Sequence, residues 1–202
     1  LSRLDIKNRA VMPLEVQQQI VEKLDMLVEN VNGLIIADQV EEANHGVVTE
    51  IVQARLIELA HRLPQKIMVV DSRCRIGRYP GLSLKPNDRE AAVAAGMAPT
   101  ALNDEQAFEA GVCLNRLTSN PVYLTRGGAG IDVFVQGKRH QVPAVRIEGP
   151  IDTVGAGEHL GRFDCCALRR SDARRSRANW LLDFFCDGSL PRYHWNCYPT
   201  GS

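Results

Sequence analysis

The sequence has no apolar run approaching the ~20 residues that a transmembrane helix needs. It also has no excess of charge, since Lys and Arg number 24 and Asp and Glu number 24. A nucleic-acid-binding domain is expected to carry a basic stripe, which this balance does not favour. The composition, with 45% hydrophobic residues, therefore predicts a globular protein with no membrane and no nucleic-acid partner.

Metal-binding cysteine patterns and hydrolase motifs are also lacking. The six cysteines form no Cys-x-x-Cys pair, and the adjacent Cys165 and Cys166 are poorly spaced for a metal ion. Reduced thiols are typical of a cytoplasmic protein, which is the localisation we expect. No His-Glu-x-x-His motif and no Gly-x-Ser-x-Gly nucleophile elbow is present, so neither a zinc protease nor a serine hydrolase is favoured.

Residues 1–157 alternate between helix and strand patterns. Helices are predicted where apolar residues recur at helical spacing or a good N-cap precedes them, which gives helices after Pro13, after Thr49, near Asn87 and over 104–117. Strands are predicted at short apolar runs, which gives 34–37, 67–70, 122–124, 131–135 and 141–147, the last two forming a hairpin about the turn 136–138. This order predicts a layered α/β domain with a mostly parallel sheet flanked by helices.

The strongest chemical signal is the run from Asp152 to Glu158. Its small residues Gly155, Ala156 and Gly157 let several backbone N–H groups converge on an anion. Such donors stabilise the negative charge that develops in phosphoryl transfer, and a carboxylate directly after them can accept the proton of an attacking hydroxyl. A small-residue turn by itself is more often only a tight connection. The flanking acids favour the functional interpretation here.

This run resembles the Asp-Thr-x-Gly-Ala-Gly-Asp signature of the ribokinase-like, PfkB-type carbohydrate kinases. The resemblance implies an anion hole at Gly155, Ala156 and Gly157. It implies a catalytic base at Glu158, where the family has Asp, and places Asp152 near a monovalent-cation site. The implied activity is transfer of a phosphoryl group from ATP, with Mg²⁺, to a hydroxyl of a sugar or sugar phosphate.

Two further segments share this resemblance. Asn87 and Glu90 match a Pro-Asn-x-x-Glu element, which implies a position near the phosphates and magnesium. The same pair fits a helix N-cap with its capping-box partner, and both roles are compatible. Thr125, Gly127 and Gly130 match a Thr-x-Gly-x-x-Gly nucleotide loop, although many strand-to-strand turns are rich in Gly.

The aspartates that follow the first two predicted strands, Asp38 and Asp71, leave two interpretations open. They either face the active site or are ordinary strand-end acids. Segments 3–9 and 70–73 are most similar to the heptose-kinase branch of the family, with a turn between Asp38 and Gly46 a few residues longer than usual there.

The resemblance covers residues 1–157 and stops at Glu158. Whole members of the family are longer on the N-terminal side, and this chain opens on Leu1, so we expect the C-terminal portion of the family fold, lacking its N-terminal part. Because Glu158 is one methylene longer than the family's Asp, we expect a misplaced base and weak or absent kinase activity. Loss of the N-terminal part predicts uncovered apolar sheet surface and a homo-oligomer that buries it. The alternative is a non-catalytic remnant that binds nucleotide or oligomerises.

The tail, residues 158–202, differs in composition. It holds seven Arg and no Lys, four of the six Cys, and both Trp. A solvated segment is favoured over a nucleic-acid-binding arm. One hypothesis is a reading-frame shift near codon 158, because 192–198 read one base later can encode the strand-like string Val-Thr-Ile-Gly-Thr-Ala-Thr. The rival explanation is a natural variant tail.

Overall fold

A computed structural model of the protein describes residues 8–144, which form one six-stranded sheet packed against helices. The order of the strands across the sheet is their order in the sequence. The helices are α1 (Leu14–Asn30), α2 (Glu50–Arg62), α3 (Asp88–Ala94) and α4 (Asp104–Thr118). The strands are β1 (Gly33–Asp38), β2 (Ile67–Ser72), β3 (Ser83–Leu84), β4 (Val122–Thr125), β5 (Ile131–Val135) and β6 (Lys138–Val142).

Strands β1 to β4 are parallel, β5 runs antiparallel to β4, and β6 runs antiparallel to β5. Helices separate β1 from β2 and β3 from β4, as parallel neighbours require a crossover connection. The predicted layered α/β fold with a mostly parallel sheet is therefore confirmed. Because β2, β3 and β4 run the same way, their carboxyl ends lie along one edge of the sheet.

The main core lies between one face of the sheet and the helices. β2 contributes Met68 and Val70 to this core. Val69, between them, is also buried, as a continuous apolar run predicts for a strand covered on both faces. The largest fully buried side chains of this core include Val28, Leu59, Leu84, Leu114, Leu124 and Phe134. A smaller cluster of Tyr123, Val133 and Val135 lies on the β4–β5 side.

The edge strand β1 is less buried than its apolar sequence indicates, since continuous apolar runs are typical of strands covered on both faces. Ile36 is buried, but Ile35 is 53% exposed. The reason is position: among the described residues β1 lies at the margin of the sheet and pairs only with β2. An apolar run alone does not show whether a strand lies in the middle of a sheet or at its margin.

The hairpin was predicted at the right place but with the wrong boundary. Gln136 and Gly137 both have positive φ, 52° and 75°, so the connection is a two-residue turn. The second strand consequently begins at Lys138 rather than at Gln141. The polar residues 138–140 are not typical of a strand, yet they pair with β5 at the outer edge of the sheet. Residues 145–147 of the predicted strand lie outside the described part of the chain.

Candidate nucleotide and phosphate site

Two of the predicted segments meet at the carboxyl ends of β3 and β4. Thr125, the last residue of β4, donates from its backbone N to the carbonyl of Pro86 at 2.9 Å. Its Oγ1 donates to the same carbonyl at 3.2 Å. Asn87 and Thr125 also form an isolated parallel bridge. The Asn87–Glu90 pair and the Thr125–Gly130 loop therefore lie side by side, although 34 or more residues separate them in the chain.

The Asn87–Glu90 pair forms a capping box at the start of α3. Asn87 Oδ1 accepts from the backbone N of Glu90 at 2.9 Å, and Glu90 Oε2 accepts from the backbone N of Asn87 at 2.9 Å. This confirms the structural interpretation of the pair. Each side chain keeps one polar atom, Asn87 Nδ2 and Glu90 Oε1, that forms no hydrogen bond with the described residues. The cap and a binding role are thus chemically compatible.

The carboxyl group of Glu90 lies in a partly buried, charged setting. Burial raises its pKa above the ordinary value, and the nearby charge of Asp71 adds to that rise. The cations Lys85 and Arg73 act in the opposite direction. Lys85 is only 9% exposed and its Nζ donates to Asp71 Oδ2 at 2.8 Å. A bound cation would favour the ionised form of such a carboxylate.

The two strand-end aspartates have different roles. The carboxylate of Asp38 is buried and accepts hydrogen bonds from Ser72 Oγ at 2.6 Å, Tyr79 OH at 2.8 Å and Arg75 Nε at 3.1 Å. Its hydrogen-bonding capacity is used in holding the loops after β1 and β2 together, so it is structural. Asp71 instead pairs with Lys85 beside Glu90, at the candidate site.

The glycines of the Thr125–Gly130 loop serve different needs. A Cβ at Gly127 or Gly128 would meet no atom of residues 8–144 within 4 Å, so these residues leave the outer side of the loop open to a ligand. A Cβ at Gly130 would lie 2.1 Å from the carbonyl O of Val142, and its φ is +96°. Gly130 is therefore required by the packing of the loop against the end of β6.

The described residues fit magnesium held together with phosphates better than a metal site made by protein alone. No group of three His, Cys, Asp or Glu side chains converges within residues 8–144. Mg²⁺ is usually bound through one or two carboxylates and substrate phosphates while keeping several waters, and Glu90 can supply such a carboxylate. The predicted residues Asp152, Gly155, Ala156, Gly157 and Glu158 lie outside the described part of the chain.

Sequence reasoning assigned no role to Lys85 or Arg126. Lys85 directly follows β3 and precedes the Pro-Asn pair. It therefore lies at the carboxyl ends of the parallel strands, at the same edge of the sheet as the Pro-Asn-x-x-Glu motif. Arg126 is the variable position of the nucleotide loop, and its partners come from distant segments.

No helix in the portion described by the structure is long and apolar enough to span a membrane.

Comparison with protein families decides the affiliation of the chain. The pfkB family carbohydrate kinase model matches residues 13–158, more than half of the chain. The chain belongs to the pfkB carbohydrate kinase family. The match includes the segments of all three predicted motifs.

Curated relatives of this pfkB chain are bifunctional HldE proteins. The protein of Caulobacter sp. (strain K31) is 34% identical over 129 residues, which is 62% of this chain and 26% of that protein. The protein of Citrifermentans bemidjiense is 26% identical over 177 residues, which is 85% of this chain and 35% of that protein. This chain thus spans about a quarter to a third of the length of these relatives. Similarity to HldE proteins agrees with the predicted heptose-kinase branch.

Solved structures with the same fold are sugar kinases. Escherichia coli phosphofructokinase-2 in complex with potassium superposes with a TM-score of 0.62 at 16% identity, over 79% of this chain and 51% of that one. Arabidopsis thaliana ribokinase complexed with ribose and ATP gives 0.57 at 16% identity, over 79% and 48%. At these identities the likeness establishes the fold alone, here about half of the ribokinase-like fold.

Proposed function

We propose that this chain is the nucleotide-binding portion of an ATP-dependent carbohydrate kinase, with its site at the carboxyl ends of β3 and β4. The observation that carries the proposal is the contact between the Asn87–Glu90 pair and the Thr125–Gly130 loop. Two motifs of the family, distant in sequence, lie against each other, and each leaves polar atoms or open space for a ligand.

The residues take the following roles in the proposal. Glu90 Oε1 would supply a carboxylate ligand to Mg²⁺ bound with the phosphates, and Asn87 Nδ2 would donate to a phosphate oxygen. Thr125, Gly127 and Gly130 shape the loop that receives the nucleotide. The backbone N–H groups of Gly155, Ala156 and Gly157 steady the charge that develops on the transferred group. By resemblance to the family, Asp152 would serve a monovalent-cation site.

Glu158 would take the proton of the acceptor hydroxyl. Its carboxylate is one methylene farther from the backbone than that of the Asp found in the family. A displacement of about 1 Å can reduce a rate by about 10²-fold, so we propose weak turnover. The acceptor class is a sugar or sugar phosphate, with a heptose phosphate favoured by the HldE relatives.

The binding step tests the proposal directly. We expect ATP with Mg²⁺ to bind the full chain in calorimetry and the Gly157→Asp variant to lose that binding, because an added carboxylate repels phosphate and fills the turn. A coupled assay of ADP release over sugars and heptose phosphates measures the remaining turnover. Absence of ATP binding by the unmodified chain would contradict the proposal, whereas robust turnover would contradict only the impairment.

A second candidate function is a non-catalytic assembly module in the cytoplasm. It is favoured by the exposed apolar residues of the β1 edge, Ile35 above all, since such surface tends to be covered by a partner. One solved relative, the inhibited form of Escherichia coli phosphofructokinase-2, is tetrameric. We propose a homo-oligomer for this chain in either case. We also propose that the chain divides into a kinase-like portion, 1–157, and the atypical tail, 158–202.

A further inference from the structure

Arg126 connects the nucleotide loop to several other elements. Its Nη1 donates to Asp104 Oδ1 at 3.0 Å, at the start of α4, and to Asp132 Oδ2 at 3.4 Å, on β5. Its Nη2 donates to the carbonyl of Leu102 at 2.8 Å. The side chain is only 11% exposed. A planar guanidinium presents its donors in a fixed fork. These contacts therefore fix both the orientation of the Arg126 side chain and the position of its charge.

Arg126 also reaches the other half of the candidate site. Its Nε lies 3.4 Å from Oδ1 of Asp88, the residue between Asn87 and the rest of α3. Neither of these buried atoms forms a hydrogen bond with the described residues, so the contact is an ion pair without a hydrogen bond. The charge attraction nevertheless joins the loop after β4 to the helix that carries Glu90.

We propose that Arg126 is a positioning residue that couples the Thr125–Gly130 loop to the Asn87–Glu90 pair, so that a nucleotide meets both in one fixed geometry. The inference rests on the proposed function and deepens it. The backbone contact between Thr125 and Pro86 sets the spacing of the two segments, and the Arg126 side chain restrains their relative orientation.

Arg139 on β6 provides a matched control within the same cluster. Its Nη2 lies 2.7 Å from both Asp104 and Asp132, and its side chain is also 11% exposed. It contacts neither Asp88 nor Leu102 among the described residues. Arg139→Met therefore removes the same charge from the same acids as Arg126→Met, but leaves the link to α3 in place.

The first measurement is the affinity of the full chain for ATP with Mg²⁺. Loss of a group that orients a metal ligand typically costs about 10- to 100-fold in metal affinity or activity, and we take this as the scale for a group that orients the Glu90 helix. We expect Arg126→Met to raise the Kd by about tenfold or more and Arg139→Met to raise it much less. Equal losses in the two variants would overturn the inference, because the removed charge alone would then account for both.

The second measurement needs no nucleotide. In Arg126→Met, amide hydrogen exchange followed by mass spectrometry should become faster in both segments, 87–94 and 125–130. In Arg139→Met, exchange should become faster in neither segment. Arg126→Lys keeps the charge without the fork and is expected to show the same pattern; it decides the matter if the Met variant does not fold. If the two segments do not respond together, the coupling is wrong. An unmodified chain that binds no ATP refutes the proposed function, while the exchange result still decides the coupling.

Discussion

The side chain of Glu90 combines a structural and a proposed chemical role that one substitution separates. Glu90→Gln keeps an oxygen that can accept from the backbone N of Asn87, so the capping box survives. Because burial already raises the pKa of Glu90, loss of its charge removes a cost of folding. We expect the free energy of unfolding at pH 7 to stay within about 0.5 kcal/mol of the unmodified chain or to rise.

Binding should respond in the opposite way. A neutral amide is a poor ligand for Mg²⁺, so we expect Glu90→Gln to weaken the Mg²⁺-dependent part of ATP affinity in calorimetry. Asn87→Ala is the contrasting variant, since it removes the cap itself and is expected to cost about 1 kcal/mol of stability. If Glu90→Gln leaves Mg²⁺-dependent affinity unchanged, Glu90 is a capping residue only.

At the scale of elements, the start of α4 is tied to the β5–β6 hairpin through an acid whose pKa is shifted. The hydrogen bond from Arg139 lowers the pKa of Asp104, with Arg126 adding to the effect. A carboxyl group whose pKa is lowered in the folded state stabilises the fold at pH values above its ordinary pKa, near 3.8. This stabilisation is lost as the pH falls through the lowered pKa. We expect Asp104→Asn to lower the melting temperature at pH 7 and to lose that deficit in acid, once the pH falls below the lowered pKa of Asp104.

Glu105 gives the control for this pH dependence. It lies in the same first turn of α4 and forms no ion pair with the described residues, so Glu105→Gln removes an equal charge near the helix start. Differential scanning calorimetry from pH 2 to pH 8 compares the two variants. A deficit of Asp104→Asn that persists unchanged in acid would contradict the assignment of its stability to the ionised carboxylate.

Elements and motifs differ in how far the sequence predicts them. Helical spacing and N-caps located α1 to α4 because these signals are local, and Thr49 does cap α2 through its side chain. The Asn87–Glu90 pair and the Thr125–Gly130 loop were identified by resemblance, and the parallel order of β3 and β4 explains why they meet. The contacts of Arg126 to Asp104 and Leu102 span 22 and 24 residues, and no local pattern encodes them.

At the scale of the whole molecule, the open edge of β1 determines the last prediction. Gly33–Asp38 pairs with β2 on one side only among the described residues, and Ile35 is 53% exposed on it. An unpaired, apolar edge strand is a template for pairing with a second chain. We expect the protein to form a dimer or larger assembly at micromolar concentration, measured by light scattering coupled to size-exclusion chromatography.

Ile35→Lys should shift this equilibrium toward the monomer, because a charged side chain on an edge opposes pairing of two strands. Leu27→Lys is the matched control: Leu27 is 57% exposed, but it lies on α1 rather than on the sheet edge. Both variants add one charge and remove one exposed apolar side chain, so a general effect of solubility would move them equally. Dissociation by Ile35→Lys alone places the contact at β1.

A clean monomer for the unmodified chain would remove the basis of the assembly-module alternative. The nucleotide-binding proposal would then be tested by ATP binding alone.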